Sequence, residues 1–282
     1  MKDDRSPAAA PVESAAARAS GSTFYTAMRI LPPIRREAIF EIYAFCRAVD
    51  DIADSSGQRD ERLRELTGWR EDVDALYAGV PPTRLQALSK AVEKFELDKK
   101  DMLAIIDGME MDVVSNIRAP DFSTLELYCD RVASAVGRLC VKVFGLGAED
   151  GHELAHHLGR ALQLTNILRD LDEDADNGRL YLPLEALKRA GIFTTDPHSA
   201  LRSERLAEAC APVTERARLH FRRADEIMQR CPRRTVRAPR IMAEVYKLKL
   251  DALVRRGWSP PRGPVSISRP RLLWILARYA IV

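Results

Sequence analysis

The sequence predicts an all-α protein, and three observations support that class. Apolar residues recur at spacings of three and four along most of the chain, as they do on one face of an amphipathic helix. No segment shows sustained alternation with enrichment in β-branched residues, so no sheet is predicted. The 282 residues are 46% hydrophobic and 30% charged, which suits a globular core and excludes a disordered chain or a collagen-like repeat.

Proline, glycine and capping residues divide this pattern into elements. We expect residues 1–19 to form a disordered tail, because they combine Ala, Ser and Pro with scattered charge and lack the apolar run of a secretory signal. A first helix is predicted from about Ser22 to Pro32, and a second from Pro33 to Gly57. Further helices are predicted at residues 60–78, 82–95, 99–117, 122–144, 149–175, 199–230, 236–256 and 268–280. No linker or repeat divides residues 20–282, which we interpret as one domain.

Cysteine usage and charge limit the class of protein further. The five cysteines are scattered and include no C-x-x-C pair, which is typical of reduced thiols in a cytoplasmic protein without a structural zinc site. No run approaches the ~20 apolar residues that span a bilayer. Residues 202–282 contain 19 Lys and Arg against 7 Asp and Glu, whereas residues 1–201 contain 25 against 34. The basic part suits contact with anions, and the simpler explanation is a set of solvated helix faces.

Two acidic motifs carry the strongest chemical signal. Asp50 and Asp54 are four residues apart, so they lie on one face of the second helix, where their like charges repel. The same spacing recurs at Asn166, Asp170 and Asp174. Oxygen ligands without His or Cys favour Mg²⁺, with Mn²⁺ as the alternative, and protein-bound Mg²⁺ is often shared with substrate phosphates. One such motif is usually a solvated helix face, but two together predict a metal site that binds a diphosphate.

The side chains near these motifs and the absence of other motifs limit the class of reaction. Arg47 and Arg169 each lie just before an aspartate of an acidic motif, where they would contact diphosphate oxygens or form salt bridges within their helices. His152 and His156 are the one histidine pair at ligand spacing, and we interpret them as surface residues. The sequence contains no phosphate-binding loop, zinc-protease motif, hydrolase elbow or glycine-rich dinucleotide loop. Nucleotide-dependent phosphoryl transfer and triad hydrolysis therefore lose support.

The residues of four segments resemble the squalene/phytoene synthase family of head-to-head prenyl synthases, over residues 20–256. The segments are FYTAMRILP (24–32), IYAFCRAVDDIAD (42–54), LYCDRVASAVG (127–137) and LQLTNILRDLDEDADNGRLYLP (162–183). The last is the most specific, and the chain looks most like the family members of the bacterial hopanoid pathway. The resemblance implies a single-domain, isoprenoid synthase-type helical bundle with a central apolar cavity.

The resemblance also implies roles for the residues at matching positions. The implied metal ligands are Asp50, Asp54, Asn166, Asp170 and Asp174. The implied contacts with the prenyl diphosphate are Ser20, Gly21, Ser22, Thr23, Phe24, Tyr43, Arg47, Gln163, Arg169, Tyr181 and Tyr246. The implied catalytic residues are Arg47, Arg169 and Tyr128, the last of which would manage the proton lost during ring closure. Two positions depart from the family pattern: Ser20 replaces a histidine of some carotenoid-type relatives, and Ser134 replaces a common glycine.

The implied reaction is the Mg²⁺-dependent condensation of two farnesyl diphosphates to presqualene diphosphate, which feeds squalene and hopanoid synthesis. NADPH is not expected, because neither a dinucleotide loop nor a long C-terminal extension is present. The alternatives are a phytoene synthase, a complete NADPH-dependent squalene synthase and a non-catalytic family member. A nucleic-acid-binding protein is the most distant alternative, and nucleic acid is not an expected partner because the basic part lacks a recognisable reading motif.

The expected location is the cytoplasm, with peripheral contact at the inner face of the membrane. Residues 202–256 are basic, and Leu272–Val282 is apolar apart from Arg278 and so suits an interfacial contact or packing into the core. Downstream hopanoid-pathway enzymes are candidate partners.

Overall fold

The computed structural model describes residues 28–115 and 117–280, which form α-helices joined by short connections. The all-α prediction is therefore confirmed; among these residues the single β interaction is an isolated bridge between Arg118 and Leu180. The helices are α1 (Pro33–Asp54), α2 (Arg59–Tyr77), α3 (Gln86–Phe95), α4 (Lys99–Ser115), α5 (Phe122–Cys129), α6 (Ala135–Phe144), α7 (Ala148–Arg169), α8 (Leu171–Asp176), α9 (Leu184–Arg189), α10 (Pro197–Leu201), α11 (Leu206–Arg230), α12 (Arg237–Arg256) and α13 (Arg269–Ala280).

Several helix boundaries differ from the sequence prediction. The helix predicted over residues 149–175 is interrupted at Asp170, whose φ of −99° and ψ of 17° separate α7 from α8. The backbone N–H groups of Asp170 and Asp174 still donate to the carbonyls four residues earlier, at 2.9 and 2.8 Å, so the second acidic motif keeps its helical register. The helix predicted over 199–230 is likewise split into α10 and α11, and α9 was not predicted. The predicted tail and most of the first predicted helix lie outside the described residues.

A π-helical segment, Asp130–Ser134, connects α5 to α6. Gly159 of α7 packs against it so closely that a Cβ at this position would lie 2.7 Å from Ser134 Cα and 2.8 Å from Ser134 N. Only glycine allows this approach of α7 to the π segment. Ser134, which departs from the family pattern, is fully buried at this contact. Wide turns of this kind often occur at functional sites, and the contact places the π segment beside α7.

The apolar core consists of two clusters, and Val132, Leu146 and Tyr246 pack against both. One cluster contains residues of the four helices α1 through α4 and parts of α6, α12 and α13. The other contains residues of α5 and of the helices α7 through α12. Ion pairs link the basic C-terminal part to the acidic N-terminal part, for example Arg230 with Asp150 at 2.7 Å and Arg216 with Glu126. Part of the charge asymmetry is therefore explained by pairing between surface helices. None of the described helices is long and apolar enough to cross a membrane.

Candidate active site

A cavity of about 690 Å³ lies among helices α1, α4, α6, α7 and α12 and the π segment. Its wall combines aliphatic side chains, such as Ile42, Val136 and Leu158, with acidic, amide, arginine and tyrosine side chains. The volume falls in the range of typical small-molecule sites, about 300–1,000 Å³. An apolar wall with a limited set of polar groups suits a ligand that has a long hydrocarbon part and a charged head.

All twelve predicted site residues that fall within the described part of the chain line this one cavity. They are Tyr43, Arg47, Asp50, Asp54, Tyr128, Gln163, Asn166, Arg169, Asp170, Asp174, Tyr181 and Tyr246. The remaining five predicted residues, Ser20 to Phe24, lie outside the described residues. The two acidic motifs, separated by more than a hundred residues in sequence, thus contribute to the same wall.

The acidic side chains of this wall carry more negative charge than their surroundings compensate. Burial, together with the nearby Asp54 carboxylate, raises the pKa of Asp50 to about 6. Burial and the Asp170 carboxylate raise the pKa of Asp174 to about 8. The Oδ1 atom of Asn166 is buried and has no hydrogen-bond partner among the described residues. Carboxylates that repel each other and an unpartnered amide oxygen form a hard-oxygen donor set, which fits a divalent cation such as Mg²⁺.

The two predicted arginines form ion pairs within the acidic motifs. Arg47 donates to Asp50 at 2.6 Å and to Asp51 at 2.7 Å. Arg169 donates through Nε and Nη2 to both oxygens of Asp170, each at 2.6 Å. Neighbouring residues on a regular helix point about 100° apart, so this bidentate pair accompanies the interruption of the helix at Asp170. The salt-bridge interpretation thus describes their contacts, and both guanidinium groups also line the cavity.

Arg179, which the sequence analysis did not single out, connects the two acidic motifs. It follows the second motif in sequence, and its Nη1 donates to Asp54 Oδ1 of the first motif at 2.6 Å. Its Nη2 donates to the carbonyl of Ala53 at 2.7 Å, and the residue is almost completely buried. The segment NGRLYLP contains Arg179 and was part of the resemblance, but its pairing partner is 125 residues away.

A buried carboxylate and two tyrosines form a hydrogen-bonded group in the cavity wall. The sequence analysis predicted the two tyrosines and missed the carboxylate. Asp112 is 3% exposed and accepts hydrogen bonds from the hydroxyls of Tyr128, at 2.9 Å, and Tyr181, at 2.6 Å. The tyrosine rings are stacked with centroids 4.8 Å apart. Burial raises the pKa of Asp112, although Arg179 and the two hydroxyls act in the opposite direction. Burial and Asp112 hold the pKa values of both tyrosines well above the ordinary range, so their hydroxyls stay protonated.

Helix α12 adds a tyrosine and a second unpredicted cation to the cavity wall. Tyr246 lies beside Arg169, whose positive charge acts against the rise that burial causes in the pKa of Tyr246, and the ammonium of Lys249 lies 4.5 Å from the Tyr246 ring centroid. Burial and the positive charge of Arg169 lower the pKa of Lys249. Lys249 is half-buried and forms no ion pair with the residues that the structure describes, so an anionic ligand near these side chains would be stabilised.

The family model for squalene/phytoene synthase matches residues 17–271, most of the chain. The chain belongs to the squalene/phytoene synthase family. Two relatives within this family are the presqualene diphosphate synthases of Sinorhizobium fredii and Rhodopseudomonas palustris. They are 58% and 57% identical to the chain over 264 residues, which is 94% of this chain and 95% of each relative. The predicted family is confirmed, and this family generally depends on divalent metal ions.

Solved structures agree with the squalene/phytoene synthase fold. A crystal structure of a dehydrosqualene synthase matches with a TM-score of 0.81 and 26% identity, over 93% of this chain and 92% of that one. A squalene synthase from Alicyclobacillus acidocaldarius matches with a TM-score of 0.76 and 27% identity, over 86% of this chain and 92% of that one. The predicted helical fold of this family is therefore confirmed.

Proposed function

We propose that the chain joins two farnesyl diphosphates head to head into presqualene diphosphate, with release of diphosphate and a proton. The observation that carries this proposal is the single cavity in which two acidic motifs, arginines and a buried tyrosine–carboxylate group meet an aliphatic wall. The relatives named presqualene diphosphate synthase, at 49–58% identity, support the same reaction. The product would feed squalene and hopanoid synthesis.

The acidic motifs would hold the Mg²⁺ ions of the reaction. The proposed ligands are Asp50, Asp54, Asn166, Asp170 and Asp174. When bound, Mg²⁺ supplies a Lewis acid that stabilises the charge of a departing diphosphate. Arg179 positions the first motif, because its hydrogen bonds fix Asp54 and the adjacent backbone carbonyl.

The first chemical step is the loss of diphosphate from the donor substrate. Its C1–O bond breaks, the electron pair leaves with the oxygen, and an allylic cation remains at C1. Arg47, Arg169 and Lys249 line the cavity and would stabilise the negative charge that develops on the leaving group. The aliphatic wall excludes water, which would otherwise capture the cation.

The second step forms the cyclopropane and releases a proton. The C2=C3 double bond of the acceptor attacks C1 of the donor and leaves a cation at C3 of the acceptor. Loss of a proton from the donor C1 then closes the ring. We propose that the Tyr128 oxygen accepts this proton while its own proton moves to Asp112, whose pKa is raised by burial. Tyr181 holds the other oxygen of that carboxylate in place.

Product analysis tests this function. The purified protein is incubated with farnesyl diphosphate and Mg²⁺, with or without NADPH, and the products are identified by mass spectrometry. Presqualene diphosphate that persists when NADPH is added is the expected result. Squalene that rises with NADPH would identify a complete squalene synthase, and phytoene from geranylgeranyl diphosphate would identify a phytoene synthase.

We further propose a peripheral contact between α13 and the cytoplasmic face of an anionic membrane. One face of α13 packs into the core, since Ile275 is buried, whereas Leu273 and Trp274 are 65% and 59% exposed. Arginines flank these apolar residues, and residues 259–280 include no Asp or Glu. Basic helices with exposed Trp and Leu bind at the interface of anionic lipids. Such a contact would bring the cavity close to the lipid in which a C30 product dissolves.

A further inference from the structure

We propose that His156, His157 and His220 form a site for one divalent transition-metal ion such as Zn²⁺, Ni²⁺ or Cu²⁺, separate from the acidic motifs. A potential ligand atom of each histidine lies within 4.8 Å of those of the other two. His157 and His156 belong to α7, and His220 belongs to α11. The surface interpretation of His156 was wrong, because this residue is half-buried, whereas His152 is exposed. Imidazole suits these ions, whereas the oxygen-only acidic motifs suit Mg²⁺. The site goes beyond the proposed reaction, which does not use these residues.

The spacing of one histidine pair is already that of two ligands on one ion. The Nδ1 atoms of His157 and His220 are 2.9 Å apart, so one of these neutral rings donates to the other. Two nitrogens that each bind an ion at about 2.0–2.1 Å lie roughly 3 Å apart when the angle between them is near 90°. The distance between these two nitrogens therefore already suits chelation of one ion, for which each ring turns its lone pair toward that ion. Helix α7 packs mainly against α11, so both ligands stand on rigid elements.

Burial and the surrounding charges keep the three histidines neutral, which is the form that binds metal. The positive and negative side chains around the site nearly cancel each other. Burial and neighbouring positive groups lower the pKa of His156 to about 4 and that of His220 to about 3, and the pKa of His157 is also lowered. All three rings are therefore neutral near pH 7, as ligation requires. The charged and titratable neighbours are Arg160, Arg216, Arg223, Asp130, Glu153, Glu226 and His152.

Arg160 is the group that competes with an ion at this site. Its Nη1 donates to His156 Nδ1 at 2.8 Å, but the same atom also lies 3.1 Å from Asp130 Oδ1 and 3.0 Å from Ser134 Oγ. Arg160 can therefore release His156 and keep two other acceptors. A variant that lacks the guanidinium, Arg160→Gln, removes both the competing donor and a repelling charge, and it should bind the ion more tightly.

The histidine site is connected to the substrate cavity through the contact between α7 and the π segment. Arg160 and Ser134 belong to the contact between α7 and the π segment, and Gly159 and Ala133 at that contact line the cavity. An ion would cross-link α7 to α11 behind this contact. It should therefore raise the midpoint of thermal unfolding, because a ligand that binds only the folded state stabilises it.

Calorimetric titration with ZnCl₂ tests the proposal, with excess Mg²⁺ present so that the acidic motifs are occupied. The wild-type protein should bind one equivalent of Zn²⁺. His220→Ala and His157→Ala should each weaken binding by at least about tenfold, the lower end of the loss seen when even indirect ligand support is removed. His198→Ala is the matched control, because His198 is an exposed histidine outside the cluster, and it should leave the affinity unchanged.

The proposal is overturned if Zn²⁺ does not bind in excess Mg²⁺, or if binding is the same in His157→Ala, His220→Ala and the wild type. Unchanged binding in Arg160→Gln would exclude His156 and with it the three-histidine site. Should the alanine variants fail to fold, electron paramagnetic resonance of Cu²⁺ added to the wild-type protein decides: coupling to imidazole nitrogens is expected, and oxygen-only ligation contradicts the site. None of these measurements depends on turnover, so they remain decisive if the proposed reaction is wrong.

Discussion

Replacing Asp112 with Asn exchanges one carboxylate oxygen for an amide nitrogen of nearly the same size. In the wild-type protein two tyrosine hydroxyls donate to the carboxylate, at 2.9 and 2.6 Å. A hydrogen bond to a charged group contributes about 1.5–3 kcal/mol and a neutral one about 0.5–1.5 kcal/mol. Because the buried amide is easier to desolvate than the carboxylate, we expect the free energy of unfolding to fall by only about 1–2 kcal/mol.

The effect of Asp112→Asn on turnover should be much larger than its effect on stability. The amide cannot take the proton that Tyr128 passes on, so the ring-closing step loses its acceptor. We expect kcat to fall by about 10²–10⁴-fold, the usual contribution of general acid–base catalysis. KM should change little, because Asp112 is held by tyrosines and is not among the proposed metal ligands.

The assay measures release of diphosphate and formation of presqualene diphosphate, together with urea unfolding followed by circular dichroism. Asp101→Asn is the matched control, because Asp101 is equally buried on the same helix, pairs with Arg138 at 2.6 Å and does not line the cavity. It should lose stability and keep kcat. If Asp112→Asn keeps kcat within about threefold of the wild type, or loses no more kcat than the control, the proposed role of Asp112 in proton transfer is wrong.

Three further predictions follow from the cavity, α13 and the histidine cluster. Asp50→Asn and Asp170→Asn should each lower turnover by about 10²-fold or more, and EDTA should abolish turnover of the wild-type protein. Normal rates in both variants would contradict the metal site. Trp274→Ser should reduce salt-sensitive cosedimentation with phosphatidylglycerol vesicles, whereas Phe193→Ser, at another exposed apolar residue, should not. The membrane contact is refuted if both variants lose the same amount of binding, or if the wild-type protein does not bind the vesicles. As pH falls below about 6.5, His220 becomes protonated in the unfolded chain but stays neutral in the folded protein, where its pKa is about 3, so the free energy of unfolding decreases. In His220→Gln this decrease should be smaller. If the unfolding midpoint depends on pH with the same slope in the variant and the wild type, the prediction is wrong.

The positions of the acidic motifs could be predicted from the sequence because their signal is local. Side chains four residues apart share a helix face whatever the rest of the fold does, and Asp50 and Asp54 line the cavity together. Asp112 carried a similar signal that was not used. It follows Ile105 and Met109 at helical spacing on α4, so the sequence alone places this carboxylate on an apolar helix face.

The contacts between distant parts of the chain were beyond this kind of reasoning. Arg179 and Asp54 are 125 residues apart, and their pairing depends on how the bundle closes. The interruption at Asp170 accompanies a side-chain pair with Arg169, which helical periodicity does not encode. His220 gave no signal either, because its partners lie on another helix.

The fate of the hydrogens at C1 of the substrate tests the central claim most directly. Farnesyl diphosphate that carries two deuterium atoms at C1 is incubated with the protein and Mg²⁺, and the product is analysed by mass spectrometry. Ring closure removes one hydrogen from C1 of the donor, so presqualene diphosphate should keep both deuterium atoms of the acceptor and one of the donor. A product that keeps every deuterium atom, or farnesol formed by capture of water, would contradict ring closure in this cavity.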